Sequence, residues 1–364
     1  MGSQSAGIDF ALIGHVDRWD KLFKILRELR DTHRGDVAES ELRSIVPWIP
    51  PRTAMRLNVH SHPSGKVARG IYIETFITPD QLEAGNFKQV VEKVRYAAEH
   101  ANRAGARIAA LGGFTSIAVE SRKVSLSSSP TVFTTGNTLT AAYIVKGVEA
   151  AVQHTGRQLN RSNVLIIGST GDVGSGCARY LSRISKRLLL NARNPQRLHD
   201  QASELQSGCA LVESSTNLDT FLSAADVVVC TASFPRPSLS LSLCKPDALI
   251  CDAGYPHNFI DAARIHPDQR LFLGGLGCVR GQLEFQPDLR TVFNEFPLPN
   301  IVNGCMLEGA LLALEGRYEP FSQGRGQIVP ERIEEIWMMA QRHGFTLSPF
   351  FDGNGLWERC RAYQ

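Results

Sequence analysis

VLIIGSTGDVGSG, residues 164–176, carries an apolar run straight into four closely spaced glycines. Val164 to Ile167 form a short buried strand that runs straight into Gly168-Ser169-Thr170-Gly171-Asp172-Val173-Gly174, and the chain beyond, to about Lys186, reads as helix. In that setting glycines permit a tight turn and a close backbone approach to a pyrophosphate. The first turn of the following helix adds unpaired N–H groups and the positive end of its dipole. The stretch therefore predicts a dinucleotide site. Its plain alternative is a strand-to-helix turn whose glycines serve packing only.

Working outward, the same rhythm repeats: LLLN ending at Asn191, a helix over 195–207, then ADVVVCTA and ALICDAG. Strands and helices alternating in this way form βαβ units. The fold class is α/β, a Rossmann-like doubly wound parallel sheet domain. Where NAD-binding proteins tend to place an acid for the ribose, at the end of the second strand, this chain has Asn191-Ala192-Arg193-Asn194, with Arg197 following. A guanidinium pairs bidentately with a 2′-phosphate, so NADPH is expected over NADH. Two later strand ends, Thr231-Ala232-Ser233 and Asp252-Ala253-Gly254, should border the same cleft. Gly274-Gly275-Leu276-Gly277 reads as backbone making room for nicotinamide, with an ordinary loop as the competing reading.

Upstream, Ile8 to His15 reads as a buried strand, followed by a helix with Trp19, Leu22, Phe23, Leu26 and Leu29 on one side. Lys21, Lys24, Arg27 and Arg30 take the other side. Prolines at 47, 50, 51 and 63 make 34–65 an irregular connection. Strand over 66–76, one long helix over 79–104, a strand at 108–110 ending in Gly112-Gly113, and a helix over 139–154 complete an α/β unit. Helices over 303–316 and 330–343 close the chain. The expected division is an N-terminal α/β substrate domain at 1–160, an NADPH-binding domain at 161–300, and C-terminal helices at 301–364 packing against the N-terminal domain.

Composition excludes several classes. With 364 residues, 43% of them hydrophobic, and 39 basic against 36 acidic, neither disorder nor a nucleic-acid-binding surface is written into the chain. Its apolar runs fall far short of the roughly 18 residues of a membrane span. The start, MGSQSAG, lacks the basic region and apolar core of a signal peptide, so a cytoplasmic location is expected. The eight cysteines form no CxxC pair and no zinc-ligand spacing, which argues against a disulfide framework.

One cysteine stands apart. Asn303-Gly304-Cys305 opens an apolar helix ending at Gly316, with Asn303 placed to cap it. Unpaired N–H groups in the first turn favour an anion, which should lower the thiol pKa and raise the thiolate fraction. Cys305 is thus a candidate nucleophile. Cys278, after the glycine cluster, is its rival, and an inert buried thiol is the plain alternative for either.

Long segments of the chain resemble the cyanobacterial long-chain acyl-[acyl-carrier-protein] reductases, which form fatty aldehyde for alkane synthesis. The matching segments are LIGH at 12–15, GKVARGIYIE at 65–74, LGGFTSI at 111–117, FTTGNTLTAAY at 133–143, GSTGDVGS at 168–175, NARNPQRL at 191–198, DAGYP at 252–256 and RHGF at 342–345. Cys305 with Glu308 and Glu315-Gly316 matches the pattern around the family's nucleophile. Residues 36–62, those just before Cys305, and the tail after Pro349 depart from it.

The resemblance implies that Cys305 attacks a carrier-bound acyl thioester and that NADPH reduces the acyl-enzyme to aldehyde. It points to Gly113, Phe114, Thr115, Ser116, Thr135, Gly136, Asn137 and Thr138 as substrate or oxyanion candidates, with helix capping as their alternative role. It also implies an acyl carrier protein as donor, an aldehyde-deformylating oxygenase downstream, and an association with magnesium. No carboxylate cluster offers a magnesium site, and His60-Ser61-His62 reads as loop histidines without a third ligand. Lys21, Lys24, Arg27 and Arg30 could meet an acidic carrier or be a solvated helix face. Three other readings compete: a reductase for another carrier-bound acyl or aminoacyl group, a shikimate-dehydrogenase-like NADPH alcohol dehydrogenase, and a non-catalytic NADPH-binding sensor.

Overall fold

The structure, a computed structural model, describes residues 7–29, 38–84, 87–121, 126, 130–206, 208, 211–232, 239, 241–255, 257, 259, 266–289, 292 and 296–357. The chain divides into two compact units, both discontinuous in sequence. The first comprises 1–136, 279–323 and 339–346, and the second 137–278, 324–338 and 347–364. This interleaving differs from three successive segments. The helix Asn137–His154 falls in the second unit, residues 279–300 fall in the first, and the chain after 300 is shared, 301–323 and 339–346 joining the first unit and the rest the second.

In the second unit, buried strands with near-continuous apolar sequence, VLII, LLL, VVVC and LIC, form an all-parallel sheet, as expected where helices cover both faces. Its order is Arg270–Leu273, Leu249–Asp252, Val227–Cys230, Asn163–Ile167, Arg187–Asn191, Leu211–Ser215. Asn163–Ile167 is central, and the connections run outward from it in opposite directions, so a crevice opens at its carboxyl end. The edge strand Leu211–Ser215 was not anticipated. As a partly exposed edge its LVESS sequence lacks the apolar run that marks the inner strands.

The first unit holds a mixed six-stranded sheet ordered Leu283–Gln286, Arg52–His60, Val67–Glu74, Phe10–Gly14, Ile108–Leu111, Val132–Thr134. The last four strands are parallel, and the first two pair antiparallel. Arg52–His60 corrects the irregular reading of 34–65: Met55, Leu57 and Val59 alternate inward, and the prolines at 50, 51 and 63 lie outside its ends. The single helix expected over 79–104 is two, Pro79–Glu83 and Phe87–Arg103.

Alternation along these strands assigns the two faces. Ala11, Ile13, Ile71, Ile73, Ala109 and Leu111 pack on Val90, Val94, Ala97 and Ala101 of Phe87–Arg103. The opposite face, with Leu12 and Ala110, receives the helix Gly304–Glu315, where a Cβ on Gly309 would stand 3.1 Å from the Ala110 methyl. No helix among the described residues is long and apolar enough to cross a membrane.

Candidate functional site

In the second unit the glycine-rich turn lies at the carboxyl end of the central strand. Gly168 has φ +81°, and a Cβ there would meet the Ala232 backbone at 2.9 Å. A Cβ on Gly174 would stand 2.3 Å from the Gly168 carbonyl oxygen and 2.7 Å from Thr231 Oγ1. Gly171 precedes the helix Asp172–Leu181 at its N-cap. Thr231 Oγ1 donates to the Ile167 carbonyl (3.0 Å), tying two strand ends to the turn. The Asn191 carbonyl accepts the N–H groups of Gly168 and Ser169, while Asn191 Nδ2 donates to Ser215 O (2.8 Å). Asn191 therefore shapes the turn, and Arg193 lies exposed just beyond the same strand.

Three buried polar atoms at this turn have no hydrogen-bond partner: Ser169 Oγ, Asp172 Oδ1 and Gln201 Oε1. Buried polar atoms in folded proteins are nearly always satisfied, so their concentration here fits a polar ligand arriving at the helix N-terminus. Burial pushes the Asp172 carboxyl above its ordinary range; Asn137 Nδ2 donating to Oδ2 (2.8 Å) and the nearby charges of Arg325 and Arg179 oppose this. Gln201, whose Nε2 donates to Ser169 O (2.7 Å), and Arg325 were missed by sequence reasoning, because both lie outside the motif in the chain.

Other expected cofactor positions fare differently. Gly254 N–H donates to Asp252 Oδ1 (3.2 Å), closing the loop after its strand. Ser233 lies outside the described residues. In the glycine cluster the place of a Cβ is already filled by protein: Cys251 Sγ at 2.4 Å before Gly274, Thr140 Cγ2 at 3.1 Å before Gly275, and the Tyr143 ring at 2.4 Å before Gly277. These glycines admit neighbouring strand and helix, which accounts for them by packing alone. A cavity of about 280 Å³ lies at the start of Leu249–Asp252 and Arg270–Leu273, the opposite end of the sheet from the glycine turn.

In the first unit, Cys305 occupies the first turn of Gly304–Glu315, at the start of a helix that Gly316 (φ +73°) ends. Asn303 has extended dihedrals at the N-cap but makes no side-chain capping bond. Of the six described cysteines, Cys305 alone is partly exposed. Cys278, the expected rival, is fully buried. Gly136 (φ +72°) abuts the Cys305 backbone, where a Cβ would stand 2.5 Å from Cys305 O and 2.6 Å from its Cα. Only glycine fits that contact and that dihedral together.

Burial pushes the Cys305 thiol above its ordinary range. Hydrogen bonding from backbone at Gly113, Met306 and Cys305 itself opposes burial, and the charge of Glu308 reinforces it. The expected dipole-driven lowering is thus outweighed in the free protein by desolvation and by an acid one turn along. Glu308 is fully buried; it accepts from Ser322 Oγ (2.8 and 3.0 Å) and from Thr134 Oγ1. Ser322 N–H donates to Thr134 Oγ1 (3.0 Å), and Thr135 N–H to Ser322 O (3.0 Å). This network joins the helix Gly304–Glu315, the strand leading to Gly136, and the chain at 322. Nothing local in the sequence marks Ser322.

Of the oxyanion candidates, Thr115 Oγ1 donates to Gly112 O (2.8 Å) and Ser116 Oγ to Gly113 O (2.9 Å). These hydroxyls close the first turn of the helix Phe114–Ser121, the capping alternative. Thr135 Oγ1 is buried and has no hydrogen-bond partner. Asn137 and Thr138 belong to the second unit and begin its long helix. Gly113 (φ +59°) is the candidate whose backbone reaches the sulfur. His15, missed as a site residue, lies just past the end of its strand and is 7% exposed; its Nε2 accepts the Phe114 N–H at 3.0 Å. A polar residue following the carboxyl end of a parallel strand was the available signal.

Beside Cys305 along the chain, Val302, Met306, Leu307 and Ala310 line a narrow apolar cavity of about 30 Å³ with Leu12 and Met55. Elsewhere in the unit, Lys21 pairs with Asp17 (3.2 Å) and Arg27 lies 3.7 Å from Glu39, so two cations of the expected basic face have acidic neighbours; Arg30 lies outside the described residues. His60 lies 3.4 Å from Glu284, and His62 is exposed. Among the described residues no group of three or more His, Cys, Asp or Glu is arranged to hold a metal, and the magnesium implied by resemblance finds no ligand set there.

No family model matches the chain. It is 33% identical over 350 residues to a long-chain acyl-[acyl-carrier-protein] reductase of Synechococcus elongatus, covering 92% of this chain and 98% of that protein. It is 25% identical over 362 residues to the aminotransferase PigE of a Serratia species, covering 93% of this chain but 40% of PigE. Quinate dehydrogenase from Corynebacterium glutamicum, in complex with NAD, aligns over 91% of this chain and 99% of its own at 12% identity, with a TM-score of 0.38 too low to bear on fold or function. The level and extent of the first match place the chain in the long-chain acyl-[acyl-carrier-protein] reductase family, as a nicotinamide-dependent oxidoreductase.

Proposed function

We propose that this protein reduces a fatty acyl thioester, carried by an acyl carrier protein, to the fatty aldehyde through an acyl-enzyme on Cys305. The observation that carries the reading is the partly exposed Cys305 at a helix start, with backbone donors around its sulfur and an apolar cavity beside it. The cavity is small, but Met55 and Met306 line it, and their unbranched side chains repack readily around an inserted alkyl chain.

Cys305 loses its proton and its sulfur attacks the thioester carbonyl; the carrier's thiol leaves and the acyl group stays on Cys305. Attack generates an oxyanion. The Gly113 N–H and the unpartnered Thr135 hydroxyl are the donors we assign to it, each worth about 3 kcal/mol in a preorganised site. NADPH, when bound, supplies the hydride that converts the acyl-enzyme carbonyl to a hemithioacetal. Collapse of that group breaks the C–S bond, releases the aldehyde and returns Cys305 as thiolate.

The turn Gly168–Gly174, the Ser169 hydroxyl and the start of Asp172–Leu181 would hold the cofactor's pyrophosphate, with Arg193 on the 2′-phosphate. On this reading the reaction is cytoplasmic, and the product is a substrate for an aldehyde-deformylating oxygenase. Intact mass after mixing with a palmitoyl-carrier thioester, without NADPH, tests the proposal. Peptide mapping should place the acyl group on Cys305, and NADPH should remove it with aldehyde formation. An adduct on another cysteine, or none with any acyl chain despite NADPH binding, would overturn it.

A further inference from the structure

We propose that His15 is a positioning residue for the nucleophile. By accepting the Phe114 N–H, its imidazole holds the Gly112–Phe114 turn so that the Gly113 N–H points at the Cys305 sulfur.

The geometry leaves the imidazole one workable tautomer. His15 Nδ1 lies 3.2 Å from the Val16 carbonyl oxygen, which can only accept, so Nδ1 carries the proton. Nε2 then keeps its lone pair toward the Phe114 N–H at 3.0 Å. Burial lowers the pKa of His15 and keeps it neutral, although the Val16 carbonyl and the Asp17 carboxylate act in the other direction. Phe114 packs its ring 5.7 Å from the imidazole, centroid to centroid.

The turn is held from its other side as well. Gly112 N–H donates to Ile13 O (2.9 Å), and Thr115 Oγ1 lies within reach of both Ile13 O and Gly112 O. Ile13 and His15 belong to one strand and its continuation, so the end of Phe10–Gly14 serves as a template on which Gly112 and Phe114 are both bonded. Gly113 lies between them at φ +59° with its N–H free to face the sulfur. That N–H stabilises a thiolate in the free protein and, under the acyl-transfer reading on which this inference rests, an oxyanion during reaction.

Iodoacetamide alkylation tests the inference without any acyl donor, read as mass gain on the Cys305 peptide across pH. His15→Phe keeps the ring volume and removes the acceptor. Its alkylation profile should move up by about one pH unit, the loss of one charge-assisted hydrogen bond to sulfur. His15→Gln, whose side-chain carbonyl can accept the same N–H, should recover at least half of that shift. A profile for His15→Phe that overlays the parent's, or no recovery in His15→Gln, overturns the proposal. Should His15→Phe fail to fold, nitrogen NMR of the unaltered protein decides it: the Nδ1–H tautomer supports the role, and an Nε2–H tautomer excludes it. Failure of the acyl-transfer reading itself would appear separately, as the absence of an acyl adduct in the parent.

Discussion

Both units place a glycine-containing loop at the carboxyl ends of parallel strands, yet the two loops treat their polar atoms differently. At Gly168–Gly174 the backbone is packed so tightly that a Cβ on Gly174 would be 2.3 Å from an oxygen, while three buried side-chain atoms around it lack partners. Around Cys305 almost every polar side chain is satisfied by protein: Thr134 and Ser322 on Glu308, Thr115 and Ser116 on backbone carbonyls, His15 on Phe114. What remains there is the sulfur, backbone N–H groups and the Thr135 hydroxyl. The first arrangement suits a large polar ligand that brings its own hydrogen-bonding atoms. The second suits a covalent reaction in which donors must be in place before charge develops, because reorganising them would add to the barrier.

If the units divide the work in this way, lesions in one should spare the other. The largest effect belongs to Cys305→Ala: aldehyde formation should fall on the order of 10⁴-fold or more, with NADPH affinity unchanged in a fluorescence titration. Gly136→Ala sets a methyl 2.5 Å from the Cys305 carbonyl oxygen at φ +72°. It should cost about 2–4 kcal/mol of stability in denaturant melts and slow Cys305 alkylation, again with NADPH affinity intact.

Gly174→Ala reverses the pattern. Its methyl would displace the Gly168 turn, so NADPH should bind about 100-fold more weakly while acylation of Cys305 by a thioester proceeds at the parental rate. Loss of acylation in this variant would break the division. Arg193→Ala narrows it within the second unit: NADPH affinity should fall about 10-fold and NADH affinity stay the same, a ratio read from paired titrations.

The smallest effect lies at the sheet edge, where Arg187 holds the Glu213 carboxyl below its ordinary range. A depressed acid contributes stability above its unfolded pKa of about 4.5, and that contribution is lost as pH falls through the folded value. Glu213 is 38% exposed, so Glu213→Gln should lower stability at pH 7 by a few tenths of a kcal/mol, and the difference should vanish in acid melts.

How much of this was legible follows from where each constraint sits in the chain. The glycine turn is one contiguous stretch whose spacing serves a local geometry, so strand, turn, helix and parallel class could all be read from residues 163–181 and their repeats. Cys305 stood out by its helix start, and Gly136 through the resembling segment that contains it. The strand Arg52–His60 was hidden because flanking prolines masked its alternation, and the edge strand Leu211–Ser215 because partial exposure removed its apolar run.

Residues 164–176 and 303–316, each with its neighbours in the chain, were enough for the class of fold, the glycine-rich turn and the candidate nucleophile, because backbone conformation, apolar periodicity and helix ends are set locally. Packing between distant segments settles which unit each segment joins, that burial raises the Cys305 thiol, and that Gly113 and Gly136 lie against it. Those facts depend on desolvation and on hydrogen bonds between residues tens to hundreds of positions apart. Such contacts arise when strands and helices pack and leave no local pattern in the chain.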